Sequence, residues 1–396
     1  MNIGICGPIN PSVLKDYFFA GQNIPSINKA ATAVNTYVKE LLRNGHNVIV
    51  VTCAIPGCSE DLVLEGENLL VHIVHSNPSF YLTHALSRYY MIGRLRNVLK
   101  KYIDKIDVLH AQWTYDFALA SKSFQYRLPV FCTVRDWCPY ILSLQVGLKK
   151  IQWRMYHHIF SKVMDADNIH FIANSDYTYR CIKEQYPLKE ISLIFNSIDK
   201  EYIVENISAS DKKIVFISIA NSLLEKRKNI YKLLRAFAIF HTEHPESILK
   251  LVGTISSDTP EWIQWNNEGL FNGVEICGHL NHDALIQEID KSSCLIHPSL
   301  EETFGNILIE GMARGIPVIG GVNSGAVPQV LDNGKSGILC DVTSVPSIVE
   351  AMNKSCDRKE ILSITSSATI SLKKKYSSDI IMKRHLEVYN HFKDKL

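Results

Sequence analysis

The first part of the chain alternates short apolar runs with amphipathic segments. The runs are rich in β-branched residues and are bounded by turn residues, which is typical of strands. Between the first two runs, residues 28–46 carry apolar positions at helical spacing, and Gly45 ends that segment where left-handed backbone angles are needed. The predicted strands are NIGICGP (2–8), NVIVVTC (47–53), LLVHIVH (69–75), DVLHAQW (107–113), PVFCTV (129–134) and NIHFIANS (168–175).

The same alternation begins again after a polar segment without periodicity, residues 196–213. The predicted strands of this second series are KIVFISIA (213–220), SILKLVGT (247–254), GVEICG (273–278), SSCLIHPS (292–299) and IPVIGG (316–321). Helical patterns separate them, such as NIYKLLRAFAIFHTEH (229–244) and HDALIQEID (282–290). One more helical pattern, SSDIIMKRHLEVYNHF (377–392), follows the point where the second series is complete.

Strands that alternate with helices favour parallel sheets covered by helices on both faces. We therefore predict an α/β fold of two Rossmann-like, doubly wound domains with a cleft between them, where ligands bind outside the carboxyl ends of the strands. The predicted N-terminal domain spans residues 1–195, a linker spans 196–212, and the C-terminal domain spans 213–372. Residues 373–396 form a terminal helix, for which crossing back to the first domain is one placement that the sequence leaves open.

Composition supports this globular organisation. A chain of 396 residues, 46% apolar and 21% charged, suits two domains of roughly 150–200 residues each. The net charge of +2 gives no case for a nucleic-acid binder. From the sequence we expect neither a signal peptide nor a membrane-spanning segment. The ten scattered cysteines indicate buried free thiols in a reducing cytoplasm, among them Cys6, Cys53 and Cys132, rather than disulfides or a zinc site.

Two glutamates, Glu302 and Glu310, flank the start of a predicted helix in SLEETFGNILIEGMARGIPVIGG (299–321). Gly305 and Asn306 suit a helix start, and Gly315 ends the helix before the next strand. The free N–H groups of a helix start suit a diphosphate. A carboxylate in the preceding loop suits sugar hydroxyls and developing positive charge at an anomeric carbon, whereas one a turn inside suits a ribose. The spacing alone is weak evidence and favours the alternative of two solvated surface glutamates, one of them an acidic residue at a helix start.

The block PSLEETFGNILIEGMARGIPVIGG (298–321) resembles the donor-site signature of glycosyltransferase family 4 (glycosyl transferases group 1), which are retaining enzymes of the GT-B fold. Weaker similarities occur in the family's order along most of the chain: YVKELLRNGHNVIVVT, DVLHAQW, TVRDWCP, FIANSDYT, LIFNSID and YSSDIIMKRHLEVYNHF. The resemblance implies a cytoplasmic, metal-independent and cofactor-free hexosyltransferase. It would move a sugar from a nucleotide-sugar donor to a glycan or polyprenyl-linked acceptor in surface polysaccharide or lipopolysaccharide biosynthesis.

The resemblance also implies residue roles. Glu310 would bind the nucleotide ribose and Glu302 the transferred sugar. Lys228, in ANSLLEKRKNI (220–230), stands where the family has a lysine for the leaving diphosphate. The remaining predicted substrate-binding positions of the second domain are Phe304, Gly305, Asn306, Ser222 and Gly278.

The chain departs from the family pattern at three places. Ser222 stands where an arginine is expected, and Lys226 or Arg227 could compensate for that cation. Arg135 replaces a histidine before Asp136, and it cannot act as a base. We count Arg135 with Glu302 and Lys228 among the predicted catalytic residues, as a group that binds a phosphate or an anionic sugar, and Asp136 among the substrate-binding ones. The alternative is a structural pair between Arg135 and Asp136. The bulkier Ser26-Ile27-Asn28 stands where the family often has a Gly-Gly pair.

Two further features are open to a structural and a functional interpretation. His110, at the end of a predicted strand, invites assignment as a base, but we expect a structural histidine. Residues 87–102 and 147–158 combine basic with aromatic side chains. They are either solvated helix faces or a peripheral contact with an anionic membrane, where a lipid-linked acceptor would lie.

Two alternative functions fit the same pattern. One is a nucleotide-sugar epimerase, which would need acid and base groups at the sugar and no second acceptor. The other is a non-catalytic nucleotide-sugar-binding protein, which the departures at Ser222, at Arg135 and at the lost Gly-Gly pair make credible.

Overall fold

The protein forms two compact units in a computed structural model that describes residues 1–28, 31–53, 60–75, 84–204 and 213–393. The first unit comprises Met1–Ser197 together with Ser378–Leu396, and the second comprises Ile198–Ser377. Each unit contains one sheet with helices between its strands. This confirms the predicted α/β class with two doubly wound domains. Residues 205–212 of the predicted linker and Cys58 lie outside the described residues.

In the first unit, the described strands form a sheet of order β3-β4-β2-β1-β5-β6-β7-β8. All neighbours pair in parallel except the edge strand β3, which is antiparallel to β4. The strands are β1 (Asn2–Cys6), β2 (Asn47–Cys53), β3 (Leu62–Glu65), β4 (Leu69–Val74), β5 (Val108–Gln112), β6 (Val130–Val134), β7 (Ile169–Ala173) and β8 (Ile191–Leu193). The helices are α1 (Thr32–Arg43), α2 (His84–Lys100), α3 (Asp116–Lys122), α4 (Cys138–Ser143), α5 (Gly147–Met164) and α6 (Asp176–Gln185).

In the second unit, the strand order is β11-β10-β9-β12-β13-β14, and every pairing is parallel. The strands are β9 (Val215–Ser222), β10 (Ile248–Thr254), β11 (Val274–Gly278), β12 (Cys294–His297), β13 (Val318–Gly321) and β14 (Ile338–Cys340). The helices are α7 (Ile230–Glu243), α8 (Pro260–Asn267), α9 (His282–Asp290), α10 (Asn306–Ala313), α11 (Val327–Val330), α12 (Val345–Lys354) and α13 (Arg358–Ser371). The last helix of the chain, α14 (Ser378–Lys393), belongs to the first unit.

Strands β5, β6 and β7 are buried along their whole length, because helices cover both faces of a parallel sheet. This burial explains why their sequences are apolar without alternation. The apolar side chains of the second unit collect mainly around α7, whose Phe237 and Phe240 pack edge-on against Phe216 of β9.

A buried polar group attaches α14 to the first sheet. The hydroxyl of Tyr389 contacts both the Tyr37 hydroxyl on α1 and the His110 ring on β5. The other ring nitrogen of His110 lies 2.7 Å from the Thr133 hydroxyl. Because both nitrogens are engaged and the side chain is fully buried, His110 is structural, as the sequence led us to expect.

Each sheet has a switch point, where the chain stops adding strands on one side and starts on the other. It lies between β1 and β5 in the first unit and between β9 and β12 in the second. In open α/β sheets ligands bind outside the carboxyl ends of the strands at such a point. The segments that follow these four strands are therefore where a site is expected.

Candidate functional site

The segment after β12 leads directly into α10. Gly305 precedes the helix with a φ of +84°, and a side chain on it would come within 2.9 Å of Leu308. Only glycine adopts this backbone without strain. The helix ends at Ala313, and Gly315 turns the chain with a φ of +72°. The predicted start and end of this helix are confirmed, with Glu302 in the loop and Glu310 about one turn inside.

The loop that carries Glu302 is fixed by its backbone. The Glu302 carbonyl accepts a hydrogen bond of 2.8 Å from the N–H of Ala326, and Gly325 forms a single β-bridge with Glu302. Gly325 has a φ of +64°, and a Cβ there would lie 2.3 Å from the Glu302 carbonyl oxygen. Glycine at 325 is therefore required for the two segments to approach this closely.

Three donors converge on one carboxylate oxygen of Glu302. Its Oε1 lies 2.5 Å from Lys228 Nζ, 2.9 Å from His297 Nε2 and 2.8 Å from Ser299 Oγ. Burial alone would raise the pKa of Glu302, but Lys228, His297 and Arg227 outweigh it and hold that pKa well below its usual value. Glu302 is therefore ionised at neutral pH.

Lys228 reaches Glu302 from the segment after β9. A short 3-10 turn, Lys226–Lys228, ends at Asn229, which has a φ of +56°. The Asn229 side-chain amide donates to the carbonyls of Pro298 (3.2 Å) and Val342 (2.8 Å). These bonds tie the β9 segment to the β12 segment, so both sides of the switch point contribute to one cluster.

Arg227, which could compensate for the arginine expected at position 222, contacts carboxylates. Its guanidinium lies 3.4 Å from Glu302 Oε2 and 3.6 Å from Glu301 Oε2, and it forms a 3.0 Å bond with Glu225. It also donates to the Glu301 carbonyl at 2.9 Å. The geometry makes Arg227 a neighbour of the Glu302 carboxylate; Ser222 itself, the last residue of β9, is half-buried.

Glu310 contrasts with Glu302. Its side chain is only 8% exposed, and its carboxylate forms no hydrogen bond or ion pair within the described parts of the chain. Burial raises the pKa of Glu310 to about 7. Buried polar groups are almost always partnered, and an unsatisfied carboxylate is costly. An arrangement of this kind is typical of a group that meets a ligand.

Of the other predicted residues of the second unit, Asn306, Phe304 and Ser222 lie at the same switch point, whereas Gly278 ends the edge strand β11. Asn306 begins α10 and is half-buried. The Phe304 ring is buried edge-on against Tyr376, at 5.6 Å and 79°, so contact with a substrate would have to come from its backbone. Gly278 ends β11 with a φ of +65° and has open space where a side chain would point.

Arg135 and Asp136 follow β6 in the first unit. The Arg135 guanidinium donates to Gln112 Oε1, at 2.5 Å from Nη2, and to Asn196 Oδ1, at 3.0 Å from Nη1. Burial lowers the pKa of Arg135 to about 10, which leaves it protonated at neutral pH. Asp136 accepts a 2.8 Å hydrogen bond from the indole N–H of Trp113.

The departure at residues 26–28 has a structural explanation at Asn28. This residue has a φ of +47°, and its amide donates to the carbonyls of Ile9 and Cys53, both at 3.2 Å. Asparagine tolerates left-handed backbone angles better than other non-glycine residues. Asn28 thus takes a backbone conformation that a glycine pair also permits. The residues that follow it, 29 and 30, lie outside the described part.

Sequence reasoning missed three residues that the structure brings forward: His297 and Ser299 at Glu302, and Trp113 at the end of β5. A signal for His297 existed, since it is a histidine that ends an apolar strand immediately before Pro298. Trp113 ends its run in the same way.

The described residues contain no group of three or more His, Cys, Asp or Glu side chains arranged to hold a metal ion. Within the same residues, no helix has both the length and the apolarity required to span a membrane.

Two family models cover most of the chain between them. "Glycosyltransferase Family 4" matches residues 30–202, and "Glycosyl transferases group 1" matches residues 199–368. A curated relative is the N-acetyl-alpha-D-glucosaminyl L-malate synthase of Bacillus anthracis. It is 22% identical over 347 residues, which are 82% of this chain and 84% of that protein.

Solved structures share the fold over the whole length. Anabaena Alr3699/HepE, solved in complex with UDP and glucose, matches with a TM-score of 0.70 at 17% identity, covering 99% of this chain and 100% of that one. WaaG, a glycosyltransferase involved in lipopolysaccharide biosynthesis, matches with a TM-score of 0.69 at 13% identity, covering 97% and 98%. At these identities the likeness shows the fold, which is the predicted GT-B architecture.

Proposed function

Because the chain belongs to glycosyltransferase family 4, we propose that it is a retaining enzyme that moves a sugar from a nucleotide-sugar donor to a glycan or polyprenyl-linked acceptor. The observation that carries this proposal is the contrast between Glu302 and Glu310. One carboxylate is kept ionised by Lys228, His297 and Arg227, and the other is buried without a hydrogen-bond partner in the described residues. Both flank the start of α10 at the switch point of the sheet.

Glu310 is the proposed ribose site. A nucleotide ribose offers two adjacent hydroxyls, and both can donate to one carboxylate. These donors would satisfy a group that burial now penalises, and they favour its ionised form. Nucleotide binding should therefore release a proton from Glu310 near neutral pH.

The start of α10 is the proposed diphosphate site. The N–H groups at Gly305 and Asn306 begin the helix, and a helix amino terminus carries about half a positive charge. Lys228, which contacts the Glu302 carboxylate in the loop before this start, brings a cation to the same site. We assign neutralisation of the leaving diphosphate to these groups, without a metal ion. Ser222 contributes at most a hydroxyl there.

Glu302 is the proposed partner of the transferred sugar. Its ionised carboxylate can accept sugar hydroxyls and stabilise positive charge that develops at the anomeric carbon. The bond from that carbon to the phosphate oxygen breaks, and the bond to the acceptor oxygen forms on the same face. The acceptor proton passes to the leaving phosphate, so no protein base is needed.

Contact with an anionic membrane is part of the proposal, with the enzyme at the cytoplasmic face. Around the start of α5, Val146, Leu148 and Ile151 are 66%, 85% and 62% exposed, and the exposed Lys149, Lys150 and Arg154 lie among them. Apolar residues flanked by cations suit an interface with anionic lipid. The similarity to WaaG supports an acceptor from lipopolysaccharide or another surface polysaccharide. Flotation with anionic and neutral vesicles tests this, and Leu148→Asp should abolish binding to the anionic ones.

A panel of UDP-, GDP- and ADP-sugars tests the enzymatic proposal, starting with UDP-glucose. A ligand that binds only the native state raises the apparent stability by about 2.7 kcal/mol at a hundredfold excess over its Kd. The matching donor should then be hydrolysed slowly with retention of the anomeric configuration, and Glu302→Gln should bind it without hydrolysis. Isomerisation of the donor without an acceptor would instead indicate an epimerase. Binding without turnover under any condition would indicate a non-catalytic protein.

A further inference from the structure

Trp113 is the first residue after β5, the strand that borders the switch point of the first unit. Its side chain is 38% exposed, although the whole of β5 and the two residues that follow, Thr114 and Tyr115, are buried. Open α/β sheets bind their ligands at the carboxyl ends of the strands that border the switch point. The exposed indole of Trp113 lies at such an end.

The backbone of Trp113 is held in an unfavourable conformation. Its φ is +107°, which bulky side chains avoid. Strand β6 fixes it there, because the Trp113 N–H donates to the Thr133 carbonyl at 3.2 Å and the Trp113 carbonyl lies 3.8 Å from the Cys132 thiol. Backbone strain of this kind is found preferentially at functional sites.

The indole is also fixed in orientation. Its N–H donates to Asp136 Oδ2 at 2.8 Å, and the Tyr115 ring packs edge-on against it at 5.8 Å and 62°. Tyr115 packs in turn on Trp153 and Tyr156. An aromatic ring that is already ordered loses little conformational entropy when a ligand covers it.

We propose that Trp113 is the platform on which a neutral pyranose of the acceptor stacks, with Asp136 as the positioning residue that holds the indole. This inference rests on the proposed function, because it assumes a saccharide acceptor. The C–H face of a pyranose ring is apolar and matches the exposed indole face in size.

The position also separates the two substrates. The residues proposed above for the donor, Glu302, Glu310 and Lys228, all belong to the second unit, whereas Trp113 and Asp136 belong to the first. Loss of the platform should therefore impair acceptor use and leave binding of the nucleotide sugar intact.

The test uses the full-length protein with octyl β-glucoside, octyl β-galactoside and octyl N-acetyl-β-glucosaminide as acceptor probes, each below its micelle concentration. Binding is measured by saturation-transfer NMR, and transfer is measured with the donor identified above. Trp113→Ala should weaken binding of the preferred probe, and raise its KM, by about tenfold, which corresponds to about 1.4 kcal/mol. Trp113→Phe should recover most of this loss.

Asp136 supplies a second variant pair. Asp136→Ala should resemble Trp113→Ala because the indole loses its anchor, whereas Asp136→Asn keeps an oxygen that accepts the indole N–H and should behave like the wild type. Tyr126→Ala is the matched control. Tyr126 is 65% exposed in the same unit and donates to Asp167 at 2.8 Å, yet it should have no effect on the probes.

Three outcomes would overturn the inference: no probe binds the wild type, Trp113→Ala binds the probes as the wild type does, or Tyr126→Ala weakens binding equally. Thermal-shift titration with the nucleotide sugar distinguishes failure of the inference about Trp113 from failure of the proposed function. If the sugar nucleotide binds and is hydrolysed but the platform variants change nothing, only the inference fails. If no nucleotide sugar binds the wild type, the proposed function fails.

Discussion

His297 and Glu302 form a buried hydrogen bond of 2.9 Å between Nε2 and Oε1, five residues apart in sequence. Burial lowers the pKa of His297, although Glu302 opposes this, and the ring is therefore a neutral N–H donor. Because Lys228 and Ser299 contact the same oxygen, the orientation of the carboxylate is fixed by three groups.

Replacing His297 should lower turnover more than donor affinity. His297→Ala leaves the Glu302 oxygen with one donor fewer, a loss of about 1–3 kcal/mol at a buried group. We expect kcat to fall by roughly 10–100-fold with a smaller change in the KM of the donor. His297→Gln, which retains a side-chain N–H, should recover part of kcat; equal loss in both variants would show that the ring acts only through packing.

Glu310 should destabilise the ligand-free protein at neutral and alkaline pH. Its folded pKa of about 7 lies above the unfolded value near 4.5, so the folded state binds the proton more tightly. The contribution of Glu310 to the free energy of unfolding is therefore fully present below pH 4.5. It is lost as the pH rises to 7, and the free energy of unfolding falls by about 3 kcal/mol in total. The unfolding midpoint of Glu310→Gln relative to wild type should therefore rise between pH 5 and pH 8, while nucleotide binding is lost. A midpoint difference independent of pH would contradict the assignment.

Ser222→Arg tests whether the absent cation limits the enzyme. If the segment after β9 faces the leaving diphosphate, an arginine at 222 should tighten UDP binding by about threefold to tenfold, since a charge-assisted hydrogen bond contributes about 1.5–3 kcal/mol before its entropic cost. Calorimetry at two salt concentrations measures this, and Ser222→Gln provides a long uncharged control. Equal affinities for the two variants would mean that Lys228 and α10 already suffice.

The first unit should be sensitive to acid through His110 and His385. Burial, together with Arg135, lowers the pKa of His385 to about 3, and burial lowers the pKa of His110 well below its usual value. Below pH 6.5 the unfolded state therefore binds more protons than the folded state. Each of the two histidines lowers the free energy of unfolding by up to about 1.4 kcal/mol for each pH unit in that range. His385→Phe should make the unfolding midpoint less dependent on pH between 6.5 and 4.5.

Glycine should be tolerated at position 113 better than alanine. At a φ of +107° alanine retains the strain that tryptophan carries, whereas glycine relieves it, a difference of about 1 kcal/mol or more. Trp113→Gly should therefore unfold at a higher temperature than Trp113→Ala, although glycine is normally the more destabilising replacement. A lower unfolding temperature for Trp113→Gly than for Trp113→Ala would show that the backbone at position 113 is not strained.

The periodicity of the sequence predicted the main strands because each buried strand carries its apolar run locally. It missed β3, β8 and β14, which are three or four residues long and lie at the edges of their sheets. Helix α10 was predicted with its glycine boundaries, since the left-handed angles at Gly305 and Gly315 are local requirements.

By itself the sequence determined the α/β class, the two-domain organisation and the pair Glu302 and Glu310, because these depend on composition, on local periodicity and on one contiguous block. Only the tertiary structure decided which distant side chains contact the residues of the site. Lys228 is 74 residues from Glu302, and Trp113 is 23 residues from Asp136, and both pairs form because neighbouring parallel strands end at the same edge of a sheet. The different pKa values of the two glutamates also follow from the tertiary structure, because the fold buries both side chains and brings donors only to Glu302. The spacing of the two residues in the sequence does not predict this difference.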